Sequence, residues 1–236
     1  KMQHEAAHNR KYDIAIVTDS IADLPQEIID SYQVYMVPMN ILIDGVNYYD
    51  KLTVSSKNFY NILEDVEHYP TSAQPNQKHL ENFYSFLSTY YRNIITITVS
   101  SKMSGTYQAF EAAANKYRNE TTQIAVIDSK QNSAAQGLIV MRAAEMVDAG
   151  LSFKDVVNRL HKIIEQSTIL VSVKTLEYMV RSGRVSKVTG LIAKLLNLKP
   201  VISIDKDGNG IILEKALSIK KNTQIIIDTF MKNYKE

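Results

Sequence analysis

The chain has 236 residues, of which 45% are hydrophobic and 22% charged, and its formal net charge is +2 at pH 7. These values are typical of a globular protein with a sizeable core, in one large domain or two small ones, and they do not favour a nucleic-acid partner. The sequence contains no cysteine, which excludes disulfides, thiolate catalysis and zinc–thiolate sites and is consistent with the reducing cytoplasm.

The sequence contains no apolar run that approaches the length of a membrane span. Residues 1–11 are polar and lack the apolar region of a signal peptide. We therefore treat residues 1–11 as a tail. We predict a cytoplasmic protein with no stable membrane insertion.

Residues 12–166 alternate predicted strands with predicted helices. In chain order the predicted elements are a strand at 13–18, a helix at 25–31, a strand at 34–38, a hairpin at 41–49 around Asp44-Gly45, a helix at 55–65, a loop at 69–77, a helix at 77–90, a strand at 94–99, a helix at 107–117, a strand at 123–127, and helices at 134–149 and 152–166. This alternation predicts an α/β domain whose parallel sheet is flanked by helices.

Residues 167–236 follow a different pattern. The predicted elements are a strand at 168–173, a short helix at 176–180, a basic loop at 181–187, an apolar helix at 189–196, a hairpin at 201–213 and a final helix at 218–234. We predict a smaller α+β second domain with mostly antiparallel strands.

Four segments rich in hydroxyl and carboxyl groups stand out as candidate ligand loops. They are Thr18-Asp19-Ser20, Thr71-Ser72, the stretch 100–106 with Ser100, Ser101 and Ser104, and Asp128-Ser129. Three of them follow predicted strands, and parallel sheets bind ligands beyond the carboxyl ends of their strands. Each serine or threonine alone is explained by capping of the next helix, whereas the four segments together favour a binding site.

The segment Ser104-Gly105-Thr106 indicates the chemistry of that site. Gly105 carries no side chain at a point where a helix begins, and the N-terminus of a helix binds anions. The hydroxyls of Ser104 and Thr106 would add donors. Because the sequence has neither a phosphate-binding loop with its lysine nor a dinucleotide-binding glycine motif, we predict no nucleotide or other cofactor. Hydroxyls and amides without a fixed cation suit a carboxylate.

Two other interpretations remain open. Asp19 and Asp23 are paired carboxylates that could bind metal or transfer protons, although Asp23 resembles an N-cap; no histidine lies in a nucleophile-elbow context. A phosphotransferase or hydrolase using Asp19 and Asp128 is one alternative to a ligand-binding protein. A pure interaction protein, whose pocket is filled by side chains, is the other. The basic loop with Arg181, Arg184 and Lys187 is either solvated, or a patch that docks a partner or lies beside the charged head group of a ligand.

Seven stretches together resemble the DegV family of fatty-acid-binding proteins, in the family's order. They are VTDSIADLP at 17–25, VPMNILIDG at 37–45, YPTSAQP at 69–75, VSSKMSGTYQAF at 99–110, VIDSKQNSAAQGLIV at 126–140, YMVRSGRVSK at 178–187 and LLNLKPVISIDKDGNG at 195–210. Each stretch alone is weak evidence for the resemblance, but the seven stretches in this order are specific to the family.

The resemblance implies two domains with one long-chain fatty acid in a tunnel between them. Its carboxylate would be held by hydroxyls and backbone amides, and the chain itself would do no chemistry. In some bacteria such proteins deliver the fatty acid to a separate fatty-acid kinase for phospholipid synthesis. The family's Thr-Ser loop corresponds to Thr71 and Ser72, and its Ser-Gly-Thr loop to Ser104, Gly105 and Thr106.

These arguments give one predicted set of site residues. The ligand-binding residues are Asp19, Ser20, Thr71, Ser72, Ser100, Ser101, Ser104, Gly105 and Thr106, with Arg181, Arg184 and Lys187 near the head group or docking a partner. Four apolar residues of the second domain are either the tunnel wall or part of the ordinary core: Leu191, Ile192, Leu195 and Leu196. No catalytic or metal-binding residue is predicted. Family members usually continue into a glycine-rich segment with a histidine near the head group, so we expect the second domain to be incomplete at its C-terminus.

Overall fold

A computed structural model describes residues 12–183 and 199–233, and the chain divides into two compact units after Ser167. The strands are β1 (Ile14–Asp19), β2 (Tyr35–Val37), β3 (Asn40–Ile43), β4 (Val46–Tyr49), β5 (Thr71–Ala73), β6 (Asn93–Thr98), β7 (Gln123–Asp128), β8 (Val171–Ser172), β9 (Val201–Ile204) and β10 (Gly210–Glu214). The helices are α1 (Gln26–Tyr32), α2 (Ser56–Leu63), α3 (Gln77–Tyr90), α4 (Thr106–Ala114), α5 (Ser133–Asp148), α6 (Phe153–Gln166), α7 (Glu177–Arg181) and α8 (Ile219–Asn233). Among these described helices, none is both long and apolar enough to cross a membrane.

A parallel sheet with strand order β2-β1-β6-β7 forms the centre of the first unit. Its two middle strands are runs of β-branched and small apolar residues, which suit a sheet buried on both faces. Successive residues of β1 join different cores: Ile16 packs in the cluster of α5 and α6, and Val17 in the cluster of α3 and α4. The predicted parallel sheet flanked by helices is confirmed.

A second sheet in this unit is antiparallel, with order β4-β3-β5. Asp44 and Gly45 have φ angles of 44° and 80°, as a tight hairpin turn requires, so the predicted hairpin is confirmed. The prediction of a loop throughout 69–77 was wrong, because Thr71–Ala73 forms the edge strand β5 and Ser72 pairs with Ile41. Thr71–Ala73 are small or polar residues without the alternation typical of a strand. Hydrogen bonding to the edge of β3 determines their extended conformation.

Asp23 is not the N-cap that its position suggested. The residue before α1 is Pro25, and no side chain caps that helix. Asp23 instead accepts hydrogen bonds from Lys51 Nζ at 3.0 Å and from Ser133 Oγ at 2.6 Å. A Cβ on Gly137 would lie only 2.3 Å from the Asp23 carbonyl oxygen, so α5 approaches this segment closely because residue 137 is glycine.

The second unit contains an antiparallel sheet with order β10-β9-β8, packed around Leu176 and Ile202. The predicted α+β character is therefore confirmed. The β9–β10 turn is held by Asp205, whose Oδ1 accepts the backbone N–H groups of Asp207 at 3.0 Å and Asn209 at 2.8 Å. These bonds, that of Asn209 above all, lower the pKa of Asp205.

Candidate functional site

The carboxyl ends of β1, β6 and β7 meet at one edge of the parallel sheet, where three of the predicted polar segments lie. The N–H of Val99, just after β6, donates to Asp19 Oδ2 at the end of β1 over 2.7 Å. The N–H of Ser129, just after β7, donates to the carbonyl of Thr98 in β6 over 3.1 Å. The convergence expected from a parallel sheet is therefore present.

Asp19 is fully buried and serves as an acceptor for three donors. Besides Val99 N–H, it accepts the N–H of Ile21 at 3.0 Å and Nε2 of Gln136 at 3.2 Å. Burial raises the pKa of Asp19, and these hydrogen bonds oppose that rise. Asp19 therefore joins β1 to β6 and α5, and its direct contact with a ligand stays a prediction. Within residues 12–183 and 199–233 no group of three or more acidic or histidine side chains is arranged to hold a metal ion.

The serines that follow β1 and β6 also have internal partners. Ser20 Oγ donates to Asp50 Oδ2 over 2.7 Å and accepts the N–H of Met39 over 3.0 Å. Ser100 is fully buried, and its Oγ accepts the N–H of Lys102 over 3.2 Å. These hydroxyls shape the loops, so any contact between them and a ligand remains a prediction.

Ser101 lies beside these residues and uses its backbone. Its N–H donates to Asp128 Oδ1 over 3.1 Å, and the same oxygen accepts the N–H of Lys130 over 2.8 Å. The Asp128 carboxylate thereby connects the loop after β6 to the loop after β7. A ligand contact from the Ser101 side chain stays a prediction.

The N-terminus of α4 is arranged differently. Its N-cap is Gly105, so no side chain at that position occupies the first turn. Ser104 Oγ and Thr106 Oγ1 lie 2.7 Å apart, and Ser104 Oγ also accepts the Thr106 N–H at 3.3 Å. The first helical bond runs from Ala109 N–H to the Gly105 carbonyl, so the N–H groups at 106–108 lie outside the helical ladder. Two hydroxyls therefore adjoin the positive end of a helix.

A mostly apolar cavity of about 180 Å³ lies beside Met39, the residue to which Thr106 donates a hydrogen bond. Its lining residues are Ile21, Met39, Ile41, Asp50, Val54, Ser55, Ser56, Phe59 and Ser72. Thr106 Oγ1 donates to Met39 Sδ over 3.6 Å, so Met39 connects the cavity to the start of α4. Met39 and Ile41 were not among the predicted site residues, although alternation of side chains into the start of β3 indicates that they share a face.

The two residues of the predicted Thr-Ser loop lie on opposite faces of β5. Both residues are exposed, but Ser72 pairs with Ile41 and lines the cavity, whereas Thr71 pairs with Leu42 and does not line it. Successive side chains of a strand point to opposite faces. Ser72 and Met39 therefore line one cavity, and Met39 accepts a hydrogen bond from Thr106, whose hydroxyl lies 2.7 Å from that of Ser104.

A second cavity, of about 190 Å³, includes residues adjacent to Met39 in sequence. It is lined by Met36, Val37, Pro38, Asn40, Tyr49, Pro75, Asn76, His79 and Phe83. None of these residues belongs to the predicted ligand set. Of the predicted basic patch, Arg181 forms an ion pair with Glu177 at 2.6 Å. Arg184, Lys187 and the predicted tunnel-wall residues at 191–196 lie outside the described residues.

Comparisons with known proteins agree on one family. The family model described as "Uncharacterised protein, DegV family" matches residues 13–236. A DegV domain-containing protein of Caldanaerobacter subterraneus is 33% identical over 220 residues, which are 93% of this chain and 77% of that protein.

Solved structures show the same fold. A DegV family protein from Thermus thermophilus, described as binding fatty acid, has a TM-score of 0.84 and 29% identity over 94% of this chain and 78% of its own. The fatty acid kinase (Fak) B3 protein of Streptococcus pneumoniae, solved with linoleic acid, has a TM-score of 0.80 and 24% identity over 93% of this chain and 78% of its own, a likeness of fold. With its two units and strand-end loops, this chain belongs to the DegV family.

Proposed function

We propose that this protein binds one long-chain fatty acid and holds the carboxylate at the first turn of α4. The observation that carries the proposal is the Ser104–Thr106 hydroxyl pair, 2.7 Å apart, at a helix N-terminus that Met39 connects to an apolar cavity. Donors suited to an anion, next to an apolar surface, match the carboxylate head and the acyl chain of a fatty acid. The similarity to fatty-acid-binding DegV proteins supports this ligand class.

The ligand's carboxylate would replace the weaker acceptors to which these hydroxyl groups donate in the structure. Thr106 Oγ1 donates to a thioether sulfur, which is a weak acceptor, whereas a carboxylate accepts charge-assisted hydrogen bonds. Ser104 and the first-turn N–H groups add donors on the same side. We include Ser72 rather than Thr71, because Ser72 lines the cavity.

The acyl chain would supply most of the affinity. Burial of a methylene contributes about 0.8 kcal/mol, so roughly fifteen contribute about 12 kcal/mol before ordering and association costs of several kcal/mol. The cavity of about 180 Å³ is below the volume of typical ligand pockets, so it would hold only part of the chain. The tunnel between the two domains, implied by the family resemblance, stays a prediction.

A more specific proposal concerns the protein that receives the bound fatty acid. We propose that the protein presents its fatty acid to a separate fatty-acid kinase in the cytoplasm, as the family resemblance implies. The fold shared with the Fak B3 protein is consistent with this role. ATP consumption should require both the loaded protein and such a kinase in one mixture. Consumption at the same rate without this protein would contradict the role.

The alternative of a phosphotransferase or hydrolase gains no specific support. It relied on Asp19 and Asp128, and both carboxylates accept backbone N–H groups. Such bonds favour a structural role in the loops that follow β1 and β7.

Native mass spectrometry of freshly purified protein tests the ligand class. We expect an added mass equal to one fatty acid, and denaturation should release that lipid. If the polypeptide carries no added mass and takes up neither oleate nor palmitate, the proposed function is wrong.

A further inference from the structure

Gly105 is distinguished by a close neighbouring side chain rather than by its backbone angles. Its φ of −71° and ψ of 5° are open to residues with side chains. A Cβ at this position would nevertheless lie 2.1 Å from Gln74 Oε1 and 3.3 Å from Gln74 Cδ. The carboxamide of Gln74 therefore occupies the volume that a side chain at position 105 would need.

The backbone of Gln74 is held on both sides. Its carbonyl accepts a hydrogen bond from Asn40 Nδ2 over 2.9 Å, and the preceding residue, Ala73, pairs with Asn40 in the β3–β5 ladder. The following residue, Pro75, is buried and has a fixed φ. These restraints place the start of the Gln74 side chain, which reaches the N-terminus of α4.

This position gives the carboxamide a defined chemical role. Its Oε1 faces Gly105, between Ser104 and Thr106, and rotation of the carboxamide about its terminal bond would present its two uncharged N–H donors there instead. We propose that Gln74 is a specificity-determining residue, whose side-chain N–H donates to the ionised carboxylate of the bound fatty acid across Gly105. This inference rests on the proposed function and adds a preference for an ionised over an uncharged head group.

Replacement of Gln74 by glutamate tests the preference directly. Gln74→Glu places a carboxylate of nearly the same shape at the N-terminus of α4. That internal anion would take the donors and repel the ligand's carboxylate. An uncharged head group would not be repelled, so the two ligand types should respond differently.

The experiment titrates wild-type protein and Gln74→Glu with oleate and with oleyl alcohol, by displacement of a fluorescent fatty acid. We expect oleate affinity to fall about tenfold or more and oleyl alcohol affinity to change by less than about threefold. Gln123→Glu is the matched control, because Gln123 is exposed at the start of β7, the opposite end of that strand from the site. It should leave both affinities unchanged.

A second pair of variants tests the contact itself. Gly105→Ala should displace Gln74 and weaken oleate binding severalfold, whereas Gln74→Ala with Gly105→Ala should bind like Gln74→Ala alone. Thermal unfolding shows whether each variant is folded. Losses that simply add in the double variant would overturn the role of the contact.

The outcomes separate the two proposals. Equal losses of oleate and oleyl alcohol in Gln74→Glu, or no loss of either, would overturn the role of Gln74 while wild-type binding supports the function. Absence of oleate and palmitate binding in the wild-type protein would overturn both.

Discussion

Two polar regions of the first unit look alike in sequence and differ in the structure. The loops after β1, β6 and β7 use their carboxylates and hydroxyls on internal partners, as Asp19 does with three donors. The region where β5 approaches α4 instead has a hydroxyl pair, first-turn N–H groups outside the helical ladder, and Ser72 on a cavity. The first region holds the sheet edge together, and the second is suited to a ligand.

The difference follows from where backbone N–H groups need acceptors. Chains that leave a buried sheet carry N–H groups with no strand partner, and burial makes an unpaired N–H costly. Short side chains such as those of Asp19 and Asp128 satisfy them. At the N-terminus of α4, Gly105 and Gln108 are exposed, so water can meet the same need for the first-turn N–H groups, and a ligand can replace that water. Thr106 itself is as buried as Asp19, so the partner of each polar group, rather than its burial alone, separates scaffold from site.

Asp19→Ala should give the largest effect and tests the scaffold side of this comparison. Removal of the carboxylate leaves the N–H groups of Val99 and Ile21 and the amide of Gln136 without their acceptor in the interior. We expect the free energy of unfolding to fall by about 3 kcal/mol or more, measured by urea denaturation.

The control for Asp19→Ala is Asp30→Ala on α1, where the carboxylate is exposed. It should change the free energy of unfolding by no more than about 0.5 kcal/mol. If the loss for Asp19→Ala matched that for Asp30→Ala, the hydrogen bonds of Asp19 to β6 and α5 would not stabilise the fold as proposed.

Ser72→Ala combined with Ser104→Ala tests the site side of the comparison. Each hydroxyl is expected to contribute about 1 kcal/mol to carboxylate binding, so oleate affinity should fall roughly 30-fold. Stability should change by less than about 1 kcal/mol, because these hydroxyls lie at the surface or partly buried. Titration with oleate and thermal unfolding measure the two effects.

Ser85→Ala, an exposed serine on α3, is the control for that double variant and should bind oleate as the wild type does. Ser72→Ala alone should weaken binding more than Thr71→Ala, because Ser72 lines the cavity and Thr71 lies on the other face of β5. The reverse order would restore Thr71 as the residue that contacts the head group.

The smallest expected effect concerns acid pH and the segment that leads into β5. The N–H groups of His68 and Glu67 donate to the Asp44 carboxylate at 2.8 and 3.1 Å, and these bonds lower the pKa of Asp44. A lowered pKa means that this stabilisation is complete above the ordinary value of 3.8 and is lost as the pH falls through the folded-state value.

Asp44→Asn isolates this contribution, since asparagine tolerates the φ of 44° but has only one acceptor oxygen. We expect wild type to unfold at a slightly higher temperature than Asp44→Asn at pH 6, with the difference shrinking below pH 4. A difference that is constant from pH 6 to pH 3 would show that the carboxylate charge is not the cause.

Local patterns in the sequence were sufficient for most of the framework. Apolar runs separated by amphipathic helices predicted the parallel sheet, and Asp44-Gly45 predicted the β3–β4 turn. The expected edge for the polar loops followed from the rule that parallel strands end together. These predictions succeeded because apolar periodicity and turn chemistry depend on residues within a few positions of one another.

The tertiary structure alone decided which polar side chains remain available. Asp23 bonds Ser133, 110 positions away, and Asp19 bonds Val99, 80 positions away, so no local pattern reveals that either has a partner. The edge of β3 turned Thr71–Ala73 into a strand and thereby put Ser72 on the cavity and Gln74 against Gly105. The sequence by itself determined where the polar groups gather. Long-range packing determined which of them form internal hydrogen bonds and which remain available to a ligand.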